Sequence, residues 1–517
     1  MRLIHGELTT TLSRLLIVIA LLTMAAAAIR AQTPAPPQPA ADEKKLNTKT
    51  EQSEQTVDEK ELKEKVRRLE QAVTELKGQL DSLQAAKNNP KPVVVDAKYD
   101  PSASGAMASA ATAPKADSNT ASAKPNGAQK DGESSFEVYG FAMLDAGFQF
   151  GSNHPDWYDT VRPTKLPSFD GEFGPDGNTY FGVRQSRFGA KSSIPTRWGE
   201  LKTIFEFELF GTGADAGQTT FRLRHAYGEL GQFGAGQYWT VFGDTDAFPN
   251  SIEYWGPNGL IWYRNVQVRW MPFKGRNAVT IALERPGAGA DQGRVEDRIE
   301  LENIKPHFKF PDLTGNVRWT RDWGHFQVAG ILRSIEWEDL NDDDVDLSGG
   351  SVGYGVSLSS ALNFSKNDVG RFQFTAGKGI QNYFNDAPVD VGVRINSVPV
   401  VNPLSAAEDV DGDPIIEGVA LPVYGLSAFL DHRWNDKFTT AVGYSMLHID
   451  NSNGQNANAF RRGHYALANL LYTPVPNVMI GTEFIYGGRE NFLDGFYSDD
   501  FRIQFAFKYN FSRVLKW

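Results

Sequence analysis

Apolar and polar residues alternate along the C-terminal end of the chain. From Phe501 to Phe511 every odd position is aromatic or Ile, and every even position is charged, amide or Ala. A strand points successive side chains to opposite faces, so this segment has one wall of rings and one polar, basic wall. The same two-residue texture begins near Phe136 and continues to the end. Strand candidates begin near Phe136, Tyr180, Glu200, Thr219, Phe233, Trp262, Asn277, Leu313, His325, Ser351, Arg371, Leu421, Phe438, Gly463, Val478 and Phe501. That gives about sixteen strands, the even number expected of a bacterial transmembrane barrel. The connections alternate in length. Short turns fall at Ser193–Gly199, Leu230–Gln232, Pro272–Arg276, Asp322–Gly324, Ser365–Gly370, Asn435–Lys437 and Pro474–Asn477. Long loops cover 151–179, 211–218, 243–261, 287–312, 339–349, 386–420, 451–462 and 490–500. Short turns on one rim and long loops on the other predict an all-β barrel with lipid outside and water inside.

The alternation also assigns faces. In the third strand Leu201, Thr203, Phe205, Phe207 and Leu209 are expected toward lipid, with Lys202, Glu206 and Glu208 toward the lumen. In the sixth, Val266, Val268 and Trp270 oppose Asn265, Gln267 and Arg269. In the fifteenth, Val478, Ile480, Phe484 and Tyr486 oppose Gly481 and Glu483. The second strand breaks the rule, because strict alternation does not let Arg184 and Arg187 both point inward.

The N-terminal third follows other patterns. Residues 1–31 carry Arg2 and Arg14, an apolar run from Leu15 to Ile29, and small residues before a cleavage point near Ala31. The run is shorter than the ~20 residues a spanning helix needs, which favours a signal peptide over an anchor. A Pro/Ala spacer (32–55) leads to a heptad segment (56–87). There Leu62, Leu69, Leu76 and Leu83 occupy d, and Val66, Val73 and Leu80 occupy a. The pattern predicts a short α-helical coiled coil, in which Lys65 at g and Glu70 at the next e would pair across a parallel interface; the alternative is an amphipathic helix lying on another surface. Val at a with Leu at d leans toward dimers, so the seam alone does not specify a trimer. Residues 88–134, rich in Ala, Ser, Lys, Asn and Pro, read as a disordered linker. The barrel occupies 135–517.

Composition narrows the function classes. The chain has 517 residues, a formal net charge of −11 and no Cys, which excludes disulfides, thiolate metal sites and a lipidated N-terminal Cys. Mild acidity gives no reason to expect a nucleic-acid partner. A mean hydropathy of −0.39 is compatible with a membrane barrel, where only alternate residues of each strand face lipid. No GxSxG elbow, HExxH helix or phosphate-binding loop occurs, so neither an enzyme nor a cofactor is expected.

Arginines recur on the inferred lumen face: Arg187, Arg222, Arg224, Arg269, Arg318, Arg333 and Arg502. A guanidinium stays charged and binds carboxylates through a planar fork, so such a ladder favours small anionic solutes. The alternative is that these side chains pair with the lumen acids Glu206, Glu208 and Glu483 and brace the wall. The third long loop carries Asp244 and Asp246, which would oppose the arginines if the loop folds inward. The stretch Asp409-Val410-Asp411-Gly412-Asp413 begins like a calcium-binding loop, but position 420 is Ala where that pattern needs Glu. It reads as a solvated acidic loop, as does Asn341-Asp342-Asp343-Asp344.

Several motifs, in order along the barrel, resemble the DcaP-like outer-membrane porins. They are Arg184-Gln185-Ser186-Arg187-Phe188-Gly189, Leu223-Arg224-His225-Ala226-Tyr227, Gly236-Gln237-Tyr238-Trp239-Thr240-Val241-Phe242, Asp322-Trp323-Gly324-His325 and the run Tyr465 to Phe484. The resemblance implies a homotrimer of sixteen-stranded channels in the outer membrane, a periplasmic coiled coil, and passive uptake of small carboxylate-type anions. It matches Arg187 and Arg224 to motif arginines expected in the channel. The expected partners are therefore small anionic solutes, outer-membrane lipid and lipopolysaccharide, copies of the same chain, and peptidoglycan near the coiled coil. A second reading is a tether from outer membrane to cell wall, or a surface receptor or adhesin, with the barrel as anchor. One departure concerns the C-terminus: Phe511 closes the alternation, yet Ser512 to Trp517 extend it, so either aromatic could serve as the assembly signal.

Overall fold

The computed structural model describes residues 133–211, 221–341, 346–396 and 416–517. The expected signal peptide, spacer, heptad segment and most of the linker lie outside the described residues, as does the Asp409–Asp413 loop. Sixteen long strands follow in chain order: β1 (Ser135–Gln149), β2 (Arg187–Thr196), β3 (Gly199–Glu208), β4 (Arg222–Leu230), β5 (Phe233–Trp239), β6 (Arg264–Phe273), β7 (Asn277–Glu284) and β8 (Asp312–Arg321). They continue as β9 (Gly324–Asp339), β10 (Gly349–Asn363), β11 (Asp368–Lys378), β12 (Pro422–Arg433), β13 (Phe438–Ile449), β14 (Phe460–Tyr472), β15 (Val478–Asn491) and β16 (Tyr497–Lys516). Each pairs antiparallel with the next, and β1 closes on β16 from Ser135↔Lys516 to Gln149↔Arg502. The result is a closed barrel, which leaves no unpaired sheet edge to meet lipid. No helix among the described residues is long and apolar enough to cross a membrane.

The observed strands follow the sixteen expected ones in order. The alternation survives folding: Phe501, Phe505, Phe507, Tyr509 and Phe511 are exposed on the outside, while Arg502, Gln504, Ala506 and Lys508 are buried within. Val266, Val268 and Trp270 likewise face out, and Asn265 and Gln267 face in. Exposed Trp198, Trp323 and Trp434 mark the short-turn rim, where indoles suit the membrane–water boundary.

The second strand departs from strict alternation. A short segment, Asn178–Gly182, pairs with the upper part of β1, and the chain then turns at 183–186 before β2 begins. The Ser186 amide donates to the Val183 carbonyl at 2.9 Å. This turn changes the parity, so Arg184 and Arg187 are both buried inside the barrel, against the expectation from alternation. A register shift in the β3–β4 pairing does the same for Arg224 and His225.

Four long connections position the interior. They are L1 (150–186), L3 (240–263), L4 (285–311) and L6 (379–421). L4 and L6 are joined by a small sheet, in which Ala290–Asp291 runs parallel to Val391–Gly392 and Val391–Ile395 pairs antiparallel with Ile416–Ala420.

Candidate functional site

L3 carries Phe248, Ile252, Trp255, Leu260 and Ile261, all at most 1 % exposed. On an external loop these side chains would lie in water, so their burial argues for a loop folded inward. Its contacts agree. Ile252 joins a cluster with Phe141, Met143, Leu471, Met479 and Ala506, the inner faces of β1, β14, β15 and β16. The Glu483 carboxylate, on β15, accepts from the Ile252 amide (3.0 Å), the Glu253 amide (3.0 Å), Ser251 Oγ (3.1 Å) and Asn469 Nδ2 (2.8 Å). The Asn258 side chain donates to the Gly463 carbonyl, and the Gly259 amide to Ser445 Oγ, both at 2.9 Å. A Cβ on Gly259 would lie 2.2 Å from the Met446 carbonyl oxygen, so only glycine fits where the loop meets that wall. L3 leaves β5 and is thus bonded to β13, β14 and β15 across the barrel.

L3 is not alone. The Trp262 amide donates to the Tyr383 carbonyl (3.0 Å) and the Asn385 amide to the Leu260 carbonyl (2.8 Å), so the start of L6 lies along L3. From L1, the Val161 amide reaches Glu253 Oε1 at 3.1 Å. The second Glu253 oxygen accepts from the Gly256 amide. Burial, with the charge of Glu483 adding to it, pushes the Glu253 carboxyl up to about 8, even though Arg502 and the two amides favour its ionised form.

The arginines expected in the lumen are all on the inner face or half-buried, but most have partners. Arg224 forks onto Glu206 and Glu208. Arg187 lies 3.7 Å from the same Glu206, which also accepts from Tyr139 OH (2.8 Å). Glu208 accepts in addition from Tyr254 of L3 at 2.5 Å. Arg333 binds Asp312 (2.9 Å) and Asp390 (3.0 Å), and donates to the Gly379 carbonyl (2.6 Å), which anchors L6 to the wall. Arg318 holds both Asp244, at 3.2 Å, and Asp246, so these loop acids do oppose an arginine. Arg222 is half-buried at the start of β4. Arg502 donates to Gln149 Oε1 (2.9 Å) and to the Tyr158 and Thr160 carbonyls. Arg269, half-buried, donates to Gln267 and the Trp239 carbonyl and lies 5.3 Å and 5.2 Å from the Tyr227 and Tyr238 rings.

Asp244, Asp246 and His325 bring three potential metal-ligand atoms within 4.8 Å of one another. His325 Nε2 and Ser359 Oγ contact Asp244 at 2.6 Å and 2.7 Å. Burial raises the Asp244 carboxyl, but His325 and Arg318 outweigh it and hold the group below the ordinary range. With the Arg318 guanidinium already between both acids, the cluster is an ion-pair network.

Alternation along strands could not find Arg162, Glu253 or Asp386, because they lie in loops. A signal existed only for Arg184, which sits in one of the quoted motifs and pairs with Asp159.

A closed sixteen-stranded barrel with polar inner wall, aromatic outer wall and inward-folded loops defines a porin, a passive channel of the outer membrane. The DcaP outer membrane protein family matches residues 112–387, just over half of the chain, and the protein belongs to that family. Among solved structures, the barrel is similar to the outer membrane channel DcaP of Acinetobacter baumannii, with a TM-score of 0.57 and 19% identity over 74% of this chain and 99% of that one. Looser likenesses are the in-vitro folded OmpT of Vibrio cholerae (TM-score 0.43, 12% identity, 73% of this chain and 98% of that one) and an anion-selective porin from Comamonas acidovorans (TM-score 0.43, 9% identity, 73% and 100%). No curated protein matches the sequence significantly.

Proposed function

We propose that this porin passes small hydrophilic anions of carboxylate type, with L3 narrowing the lumen. The observation that carries the anionic reading is Arg269. It is half-buried on the inner wall and, among the described residues, its bonds go to an amide and a carbonyl rather than to a carboxylate. A guanidinium in that setting keeps its charge available to passing solutes. Arg224, Arg187 and Arg333, by contrast, are neutralised by Glu206, Glu208, Asp312 and Asp390, so within the proposed ladder they serve mainly as braces. The narrowing is supported by the bonds that carry L3 from β5 to Glu483. The test is the reversal potential of purified channels under a salt gradient. Anion selectivity is expected, reduced in Arg269→Gln; cation selectivity, or no change in that variant, refutes the reading.

We also propose export through cleavage near Ala31 and homotrimer assembly aided by the 56–87 heptads. The apolar run before Ala31 supports the cleavage and the Leu/Val seam supports self-association, while the number three rests on the resemblance to the family alone.

A further inference from the structure

Three inward loops meet at one guanidinium. Arg162 of L1 lies between two indoles, 4.2 Å from the Trp157 ring of its own loop and 3.8 Å from the Trp255 ring of L3. Its Nε and Nη2 both reach Asp386 Oδ1 of L6 at 2.8 Å. The same carboxylate accepts from the Thr164 amide (2.9 Å) and Thr164 Oγ1 (2.6 Å), so it binds L1 at both Arg162 and Thr164. The neighbouring Asn385 binds the other partner: its Nδ2 donates to the Trp255 and Pro257 carbonyls (2.8 and 3.0 Å), and Trp255 Nε1 donates to its carbonyl (2.9 Å). Arg162 and Asp386 are both buried. Each loop is therefore tied to the other two through a patch of six side chains, Trp157, Arg162, Thr164, Trp255, Asn385 and Asp386.

A planar guanidinium is the group suited to this place, since it stacks on aromatic faces while its edge pairs with a carboxylate. Neither function survives alone. Without Asp386 the buried cation loses its carboxylate, and without Arg162 the buried carboxylate keeps only its Thr164 bonds and no counter-ion. The pair thus couples L1 to L6, and adds to the bonds by which Asn385 holds L6 and Val161 holds L1 on L3.

We propose that Arg162 and Asp386 are positioning residues that latch L1 and L6 onto L3, so that three loops and not L3 alone set the solute size cutoff. The inference rests on the reading that L3 narrows the lumen. The test uses the full chain purified as folded, heat-modifiable barrel, with Arg162→Met, Asp386→Asn, the double variant, and Arg162→Lys. Liposome swelling with a series of neutral sugars reports size cutoff independently of charge selectivity. Both single variants are expected to gain swelling with trisaccharides that the unaltered channel excludes. The double variant is expected to match the singles, because the second change has no latch left to break. Arg162→Lys is expected to fall between, keeping the ion pair but losing the planar stack. Effects that add, or single variants with an unchanged cutoff, overturn the latch. If Glu483→Ala widens the channel while these variants do not, the latch fails and the L3 reading stands; if Glu483→Ala also has no effect, the L3 reading itself fails.

Discussion

Replacing Glu483 by Ala removes the wall's grip on the L3 tip. Three of the four hydrogen bonds to this carboxylate come from L3 itself, from Ser251 Oγ, the Ile252 amide and the Glu253 amide. Bonds to a charged acceptor contribute about 1.5 kcal/mol each at the lower end, so their loss weakens the seat by roughly 4–5 kcal/mol. Other contacts of L3 oppose release, two of them at Ile252 itself. Ile252 stays in its apolar dimple, and its carbonyl still accepts from Gln185 at 2.9 Å. Every 1.4 kcal/mol is a factor of ten, so the released tip becomes on the order of a thousand times more populated. The barrel should persist, because its ladder of backbone bonds is untouched. In planar bilayers the expected outcome is larger and noisier single-channel conductance, with Glu483→Gln intermediate because it keeps the shape and loses the charge. A folded Glu483→Ala barrel with unchanged conductance and noise would refute the argument that this carboxylate seats L3.

Glu253 gives the seat a pH dependence. Its carboxyl is raised when seated, so seating favours the protonated form. The stabilisation is complete below the ordinary value of 4.5 and declines as pH rises toward about 8. Channel noise should therefore grow across that window, and Glu253→Gln, which cannot ionise, should remain quiet; equal pH dependence in both channels would count against the assignment. On the outer wall, Phe505→Arg places a charge where a ring faces lipid. It should lower folding stability by roughly 2–4 kcal/mol if Phe505 lies near the bilayer midplane, read from urea titrations in lipid vesicles. A stability within error of the parent would mean that this face does not meet hydrocarbon.

Much of the barrel was legible from period alone. Phe505 and Gln504 fall on opposite walls because a strand has no other option, and loop lengths alternate because one rim is built of tight turns. That reasoning stops wherever the backbone leaves the regular period. Arg184 and Arg187 share a face only because the four-residue turn at 183–186 interrupts the strand and takes Arg184 out of the two-residue period, a local event that composition does not announce. The inner wall was harder still. Sequence could list Arg224, Arg333, Glu206 and Glu208 as inward, but pairing depends on which strands are neighbours and on how far each side chain reaches. Thus Arg333 turns out to hold L6 at Gly379, and Arg269 keeps no carboxylate.

By itself, then, the sequence determined the class of sheet, the strand order, the two faces and the rim on which long loops lie, because all of these follow from local alternation and chain connectivity. Only the tertiary structure decided where the loops go. L3 reaches Glu483, more than two hundred residues away in sequence, and Arg162 reaches Asp386. No local period encodes such contacts; they exist because a closed barrel brings distant walls within reach of the apolar and charged groups that a loop must bury.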